Sequence, residues 1–123
     1  MISPWIDLSC TNESYITNAK SDPVLTKKLS QDFAALYIGD HFITEVNPIE
    51  RMYGQFPPTL IMVGSDEILI DDSKSIYNKI ISQQVKVKLS IYENQTHVWI
   101  LKNIHTEESK RAIKEIQNFI LPD

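Results

Sequence analysis

The spacing of apolar residues changes along the chain and predicts two kinds of strand. After two prolines, residues 59–64 form a short run without an alternating polar residue. Such a run is typical of a strand buried on both faces, as in a parallel sheet. Residues 86–93 alternate between aliphatic residues and lysine or serine. This alternation predicts a half-exposed strand at the edge of a sheet, with lysines protecting that edge.

Three other segments have the spacing of helices. Thr26 is a suitable N-cap for a helix that ends at Gly39 and carries apolar residues at helical spacing, namely Leu29, Phe33, Leu36 and Tyr37. Residues 70–83 have one apolar face and two aspartates in the first turn. Thr106 is expected to cap a last helix that Pro122 closes.

The remaining segments predict loops, and the order of elements predicts the fold class. Residues 1–8 fit the end of a strand, residues 9–22 are polar, and residues 41–58 predict an irregular connection with one short helical turn. From Pro58 onward the order is strand, helix, strand, helix. This order predicts an α/β fold, with a small parallel sheet joined by a crossover and flanked by helices.

Composition narrows the class of protein. The 123 residues fit one domain, with 42% hydrophobic and 23% charged residues. A net charge of -4 without a basic cluster argues against a nucleic-acid partner. No apolar run is long enough to span a membrane, and no signal peptide is recognisable. The single cysteine, Cys10, cannot form an internal disulfide and is expected to be a small buried residue. These features together predict a soluble protein of a reducing compartment, the cytoplasm.

Two polar groups that follow the predicted strands are candidates for chemistry. Asp66 comes just after the first strand and His97 lies in the loop after the second. Reacting groups collect at the carboxyl edge of parallel strands, and the order acid then histidine is that of a Ser-Asp-His triad. The residues alone leave another interpretation open. Asp66 is equally suited to form a turn or cap the helix near Ile68, and His97 to be a loop residue without a function.

The other candidates are weaker. His41 and His105 are expected to be exposed, and the histidines lack the spacing of a metal site. No glycine-rich loop predicts phosphate binding. Val98 and Trp99 are candidates for substrate contact because they follow His97, although Trp99 suits core packing as well. Trp5 is expected to be structural.

Several motifs together resemble the esterases related to hormone-sensitive lipase, a family of α/β-hydrolases. Residues 3–8 are similar to a Ser-Pro-Trp-x-Asp-Leu motif of that family. Residues 22–26 resemble its Asp-Pro-x-Leu segment, and residues 47–49 its Asn-Pro-Ile element. The longest match is residues 57–73. The resemblance implies that Asp66 is the triad acid and that His97 is the catalytic histidine.

The sequence departs from that family in one large respect. It contains neither the Gly-x-Ser-x-Gly nucleophile elbow nor a His-Gly-Gly oxyanion segment. The resemblance therefore implies that residues 1–123 are the C-terminal portion of an α/β-hydrolase domain. In the intact enzyme this portion would act on a carboxylic ester without a metal or organic cofactor, and alone it is expected to be inactive. The alternatives are a stand-alone, non-catalytic interaction domain and a fragment of a prolyl-oligopeptidase-type peptidase.

An exposed edge strand also predicts self-association. Residues 86–93 resemble the strand through which this family often dimerises, with the last helix beside it. We therefore expect a homo-oligomer that forms through residues 86–93 and the C-terminal helix.

Overall fold

The computed structural model describes residues 1–121. In chain order the elements are α1 (Ser14–Thr17), α2 (Lys27–Ile38), α3 (Ile43–Val46), a 3₁₀ turn (Pro48–Glu50), β1 (Thr59–Gly64), α4 (Ile70–Ser82), β2 (Val87–Tyr92), α5 (Trp99–Lys102) and α6 (Glu107–Ile120). The predicted strands and the three longer helices are confirmed. Pro122, which we expected to close the last helix, lies outside the described residues.

The two strands are parallel and in register from end to end. Thr59 pairs with Val87 at one end and Gly64 with Tyr92 at the other. On the opposite edge of β1, the Met62 N–H donates to the Met1 carbonyl and the Ser3 N–H donates to the Met62 carbonyl. The first three residues thus cover part of the second edge of β1. The α/β class and the small parallel sheet flanked by helices are confirmed.

Both faces of β1 are buried, as its continuous apolar run predicts. On one face Ile61 packs with Ile76 and Ile80 of α4. On the other face Leu60 and Met62 pack against residues of α5 and α6. The side chains of β2 alternate in exposure because helices cover only part of that strand.

The helix α2 forms as predicted, but its apolar residues do not enter the core. The Thr26 hydroxyl accepts the Leu29 N–H at 3.1 Å, which is an N-cap worth about 1 kcal/mol. The residues buried on this helix are Ser30 and Ala34, whereas Leu36 is 79% exposed. Local signals therefore define the helix without defining the face that it buries.

A buried aspartate attaches the first loop to α4. Asp72 Oδ1 accepts the N–H groups of Ile6 (3.0 Å) and Asp7 (2.8 Å), and Oδ2 accepts the Asn12 side-chain amide (3.0 Å). Burial raises the pKa of the Asp72 carboxyl above its ordinary value, and the three donors act in the opposite direction. This carboxylate holds residues 6–12 in a conformation that has no regular secondary structure of its own.

Two further predictions concern single features. Cys10 is a free cysteine that is fully buried, as expected, and burial raises the pKa of its thiol. None of the helices within residues 1–121 has the length and apolar character needed to cross a membrane.

Substitution of Asp72 tests the attachment of the first loop. Asp72→Ala should lower the free energy of unfolding by about 2–4 kcal/mol, because the buried N–H of Ile6 and the partly buried N–H of Asp7 lose their acceptor. Asp72→Asn keeps an acceptor oxygen for them and serves as the matched variant. Urea unfolding followed by circular dichroism measures both.

The same variants test the raised pKa. A carboxyl group with a raised folded-state pKa contributes most to stability below its unfolded pKa of about 4, and the contribution is lost as the pH rises through the folded pKa. The wild-type chain should therefore lose stability relative to Asp72→Asn as the pH rises from about 4 towards the raised folded-state pKa. Parallel curves for the two proteins would contradict this.

The predicted homo-oligomer remains a prediction, and the exposed edge of β2 supports it. Ile91 is 39% exposed on this strand. Light scattering after size exclusion should show a dimer or larger species at micromolar concentration, and Ile91→Lys should shift it to monomer by placing a charge at the edge. Leu36→Lys on α2 is the control and should leave the mass unchanged. A stable monomer in the wild-type chain would refute the prediction.

Candidate active site

An acid and a histidine meet just beyond the carboxyl ends of the two strands. Nδ1 of His97, in the loop after β2, lies 3.1 Å from Oε2 of Glu67, in the turn after β1. The Glu67 side chain is fully buried and the His97 side chain is 18% exposed. A buried carboxylate in contact with Nδ1 favours the tautomer with a proton on Nδ1, which leaves Nε2 as the acceptor.

Glu67 is surrounded by donors that compensate for its burial. Its Oε1 accepts the Gly64 N–H and the Ser3 hydroxyl, each at 2.7 Å. Removing an ion from water costs several kcal/mol, and each hydrogen bond to a charged group returns about 1.5–3 kcal/mol. Three donors, including His97, therefore offset the loss of hydration at this buried carboxylate.

Asp66, the acid implied by the family resemblance, does not make this contact. Its carboxylate accepts the hydroxyl of Ser65 at 2.9 Å, and the Ser65 hydroxyl in turn accepts the N–H of Asn94 at 2.8 Å. The expected contact between Asp66 and His97 is therefore replaced by one from the neighbouring residue. The turn directs the two successive side chains differently. Asp66 supports the loop after β2 through Ser65, whereas the side chain of Glu67 points into the protein.

Sequence patterns did not single out Glu67, although one signal was present. Glu67 is a second carboxylate next to Asp66 and directly precedes Ile68 and Leu69. Both of these residues are fully or almost fully buried. A charged residue that adjoins a buried apolar pair is a candidate for a buried and paired group.

The loop with His97 packs closely against the end of β1. A Cβ atom on Gly64 would lie 2.1 Å from the carbonyl oxygen of Gln95, so only glycine permits this approach. The same Gln95 carbonyl accepts the Asp66 N–H at 3.1 Å. Val98 has a φ of 49°, a conformation that is costly for a β-branched residue by about 1–3 kcal/mol. Strain of this kind is often found at functional sites.

A small pocket of about 340 Å³ adjoins the acid–histidine pair. Apart from His97, most of its lining is apolar and comes from the first segment, α2 and the two turns, as in Ile2, Trp5, Leu25, Phe33, Leu69 and Val98. Val98 lines this pocket, and its contact with a substrate stays a prediction. This part of the chain offers an apolar cavity beside a candidate general base.

Trp99, the other predicted substrate contact, lies elsewhere. Its ring is 4% exposed and packs in the core with Leu60 and Met62, and its centroid lies 4.9 Å from that of Tyr92. This side chain does not line the pocket beside His97, because the first turn of α5 directs it towards the sheet. Trp99 is thus a core residue, which is the alternative that the sequence left open for it.

The remaining predicted residues are outside the site or support it. His41 and His105 are both exposed, and His41 lies 3.8 Å from Glu45, one turn further along the chain. Trp5 packs against the buried cluster around Tyr15, and its indole N–H donates to the Asp7 carbonyl at 3.2 Å. Its structural role in the first loop agrees with the sequence prediction, and it also lines the pocket.

Parallel strands that end at an acid–histidine pair are the arrangement of α/β-hydrolases. The chain belongs to the α/β-hydrolase fold family, whose model matches residues 1–101. An esterase of Acinetobacter venetianus is 34% identical over 97% of this chain. An acetyl-hydrolase of Streptomyces hygroscopicus is 28% identical over the same share.

Solved structures agree with this assignment. The crystal structure of the esterase EstE5 superposes with a TM-score of 0.90 at 35% identity. An esterase from the bacterial hormone-sensitive lipase family gives a TM-score of 0.91 at 33% identity. Each likeness covers 97% of this chain and 41% of the other. The chain likewise spans 40% of the length of the two curated relatives.

Paired substitutions distinguish the two neighbouring acids. In Glu67→Gln the amide oxygen can still serve Gly64 and Ser3, but its NH₂ group would face Nδ1 of His97. We therefore expect the histidine to change to the Nε2-protonated tautomer, which the ¹⁵N shifts of its ring report by NMR. Asp66→Asn is the matched control and should leave these shifts unchanged. The opposite pattern would assign the pairing to Asp66.

Proposed function

We propose that this chain is the C-terminal part of a carboxylic ester hydrolase in which it supplies the acid and the histidine of a serine triad. The observation that carries the proposal is the contact between the buried carboxylate of Glu67 and Nδ1 of His97. Glu67 takes the role that the family resemblance assigned to Asp66. Membership of the α/β-hydrolase family and the esterases among the relatives support the proposal.

In this mechanism the pair acts on a serine that the chain itself does not provide. Glu67 fixes the imidazole and stabilises the imidazolium that forms when Nε2 accepts the proton of the serine hydroxyl. The serine then attacks the ester carbonyl, and His97 returns the proton to the leaving alcohol. The sequence has no nucleophile elbow, so the serine and the oxyanion donors must come from another part of the enzyme.

The substrate is proposed to be an ester with a short acyl group. The pocket beside His97 is lined mostly by apolar side chains, which suits the acyl group of an ester. The name of the acetyl-hydrolase relative agrees with a small acyl group. The single buried cysteine supports a cytoplasmic location as a further part of the proposal.

A hybrid enzyme tests the function. This chain would replace the matching 40% of the Acinetobacter venetianus esterase, and hydrolysis of p-nitrophenyl acetate would be measured. We expect the hybrid to be active and His97→Ala to lower kcat/KM by about 1,000-fold or more. Glu67→Gln should cost about 100-fold, and Asp66→Asn should stay within about threefold.

The isolated chain provides the complementary measurement. It should hydrolyse p-nitrophenyl acetate no faster than its His97→Ala variant, and a fluorophosphonate probe should label none of its serines. Labelling of a serine would refute the absence of a nucleophile. A folded but inactive hybrid would instead favour the stand-alone interaction domain.

A further inference from the structure

Ser3 makes hydrogen bonds to three separate segments, and the proposed triad assigns no role to this residue. Its hydroxyl donates to Glu67 Oε1 at 2.7 Å and accepts the Val98 N–H at 3.1 Å. Its own N–H donates to the Met62 carbonyl at 2.8 Å. One buried residue therefore joins β1, the acid and the residue that directly follows His97.

The direction of these hydrogen bonds is determined by chemistry. An ionised carboxylate can only accept, so the single hydroxyl proton of Ser3 must point at Glu67. The lone pairs of the hydroxyl are then free for the Val98 N–H. The order of donation runs from Val98 through Ser3 to Glu67, and His97 reaches the other oxygen of the same carboxylate. Two adjacent residues of the loop, His97 directly and Val98 through Ser3, are thereby connected to one carboxylate.

The backbone adds an independent observation. Ser3 has a φ of 46° and Val98 a φ of 49°, so two residues other than glycine adopt the left-handed conformation and are joined by one hydrogen bond. Each of these conformations is costly and persists only where the surroundings enforce it. Glycine would meet the conformational requirement at position 3 without cost. A serine at this position therefore indicates that the hydroxyl is needed.

We infer that Ser3 is a positioning residue for the acid–histidine pair: its hydroxyl orients the Glu67 carboxylate and fixes the loop at Val98, and so sets the position of His97. This inference rests on the proposed function for its catalytic meaning. The positioning itself can be measured in the isolated chain without any ester hydrolysis.

A comparison of Ser3→Gly with Ser3→Ala separates the effect of the hydroxyl group from the effect of the backbone strain. Ser3→Gly relieves the strain at φ 46° and removes both hydrogen bonds, whereas Ser3→Ala removes the bonds and keeps the strain. We expect Ser3→Gly to be the more stable of the two. Both variants should nevertheless show amide exchange at Val98 about tenfold faster or more. Both should also show a smaller fraction of the Nδ1-protonated tautomer of His97 in the ¹⁵N spectrum.

Ser9→Ala is the matched control. The Ser9 hydroxyl pairs with Thr11 at an exposed position, so its removal should change neither signal. If Ser3→Gly keeps the His97 shifts and the Val98 exchange of the wild type, Ser3 acts only on the backbone and the inference is overturned. That outcome is readable even if Ser3→Ala fails to fold.

The hybrid esterase gives a second readout. Ser3→Gly should lower kcat by about tenfold with KM unchanged, because a misplaced base affects the chemical step more than binding. A change in KM alone would count against positioning. If the unmodified hybrid is inactive, the proposed function fails, while the NMR measurements on the isolated chain still decide the role of Ser3.

Discussion

The matched ends of β1 and β2 are the constraint on which the candidate site depends. Because the strands are parallel and paired up to Gly64 and Tyr92, the chain leaves both of them at the same edge. Gly64 then lets the second turn approach to contact distance, since a side chain there would collide with the Gln95 carbonyl. The acid and the histidine are 30 residues apart in sequence, and this register makes them neighbours.

The polar groups around Glu67 replace the solvation that burial removes. The donors come from three separate segments, with Ser3 from the first, Gly64 from the end of β1 and His97 from the loop after β2. Losing one donor would leave part of a buried charge without a partner, which is more costly than the bond itself. The site is therefore coupled to the fold, because the interactions that orient His97 also hold these segments together.

Sequence patterns predicted the elements better than the contacts between them. The apolar run of β1, the alternation of β2 and the caps at Thr26 and Thr106 are local signals, and each is confirmed. Which of two adjacent carboxylates faces His97 depends on the path of one turn. Neither periodicity nor composition records that path, and the family resemblance pointed to Asp66. The same limit applies to Trp99, whose position after His97 did not determine which side of α5 its ring would occupy.

In the proposed function, this chain orients the catalytic histidine, and another part of the enzyme supplies the nucleophile. The groups that orient His97 (Glu67, Ser3 and the backbone at Gly64 and Val98) all lie within residues 1–121. The described residues therefore already contain groups that orient the base. The nucleophile and the oxyanion donors, which supply the covalent step and the largest electrostatic stabilisation, are the parts that must be added. A base that is already in place reduces what assembly has to achieve, because only the serine must then be brought within hydrogen-bonding distance of Nε2.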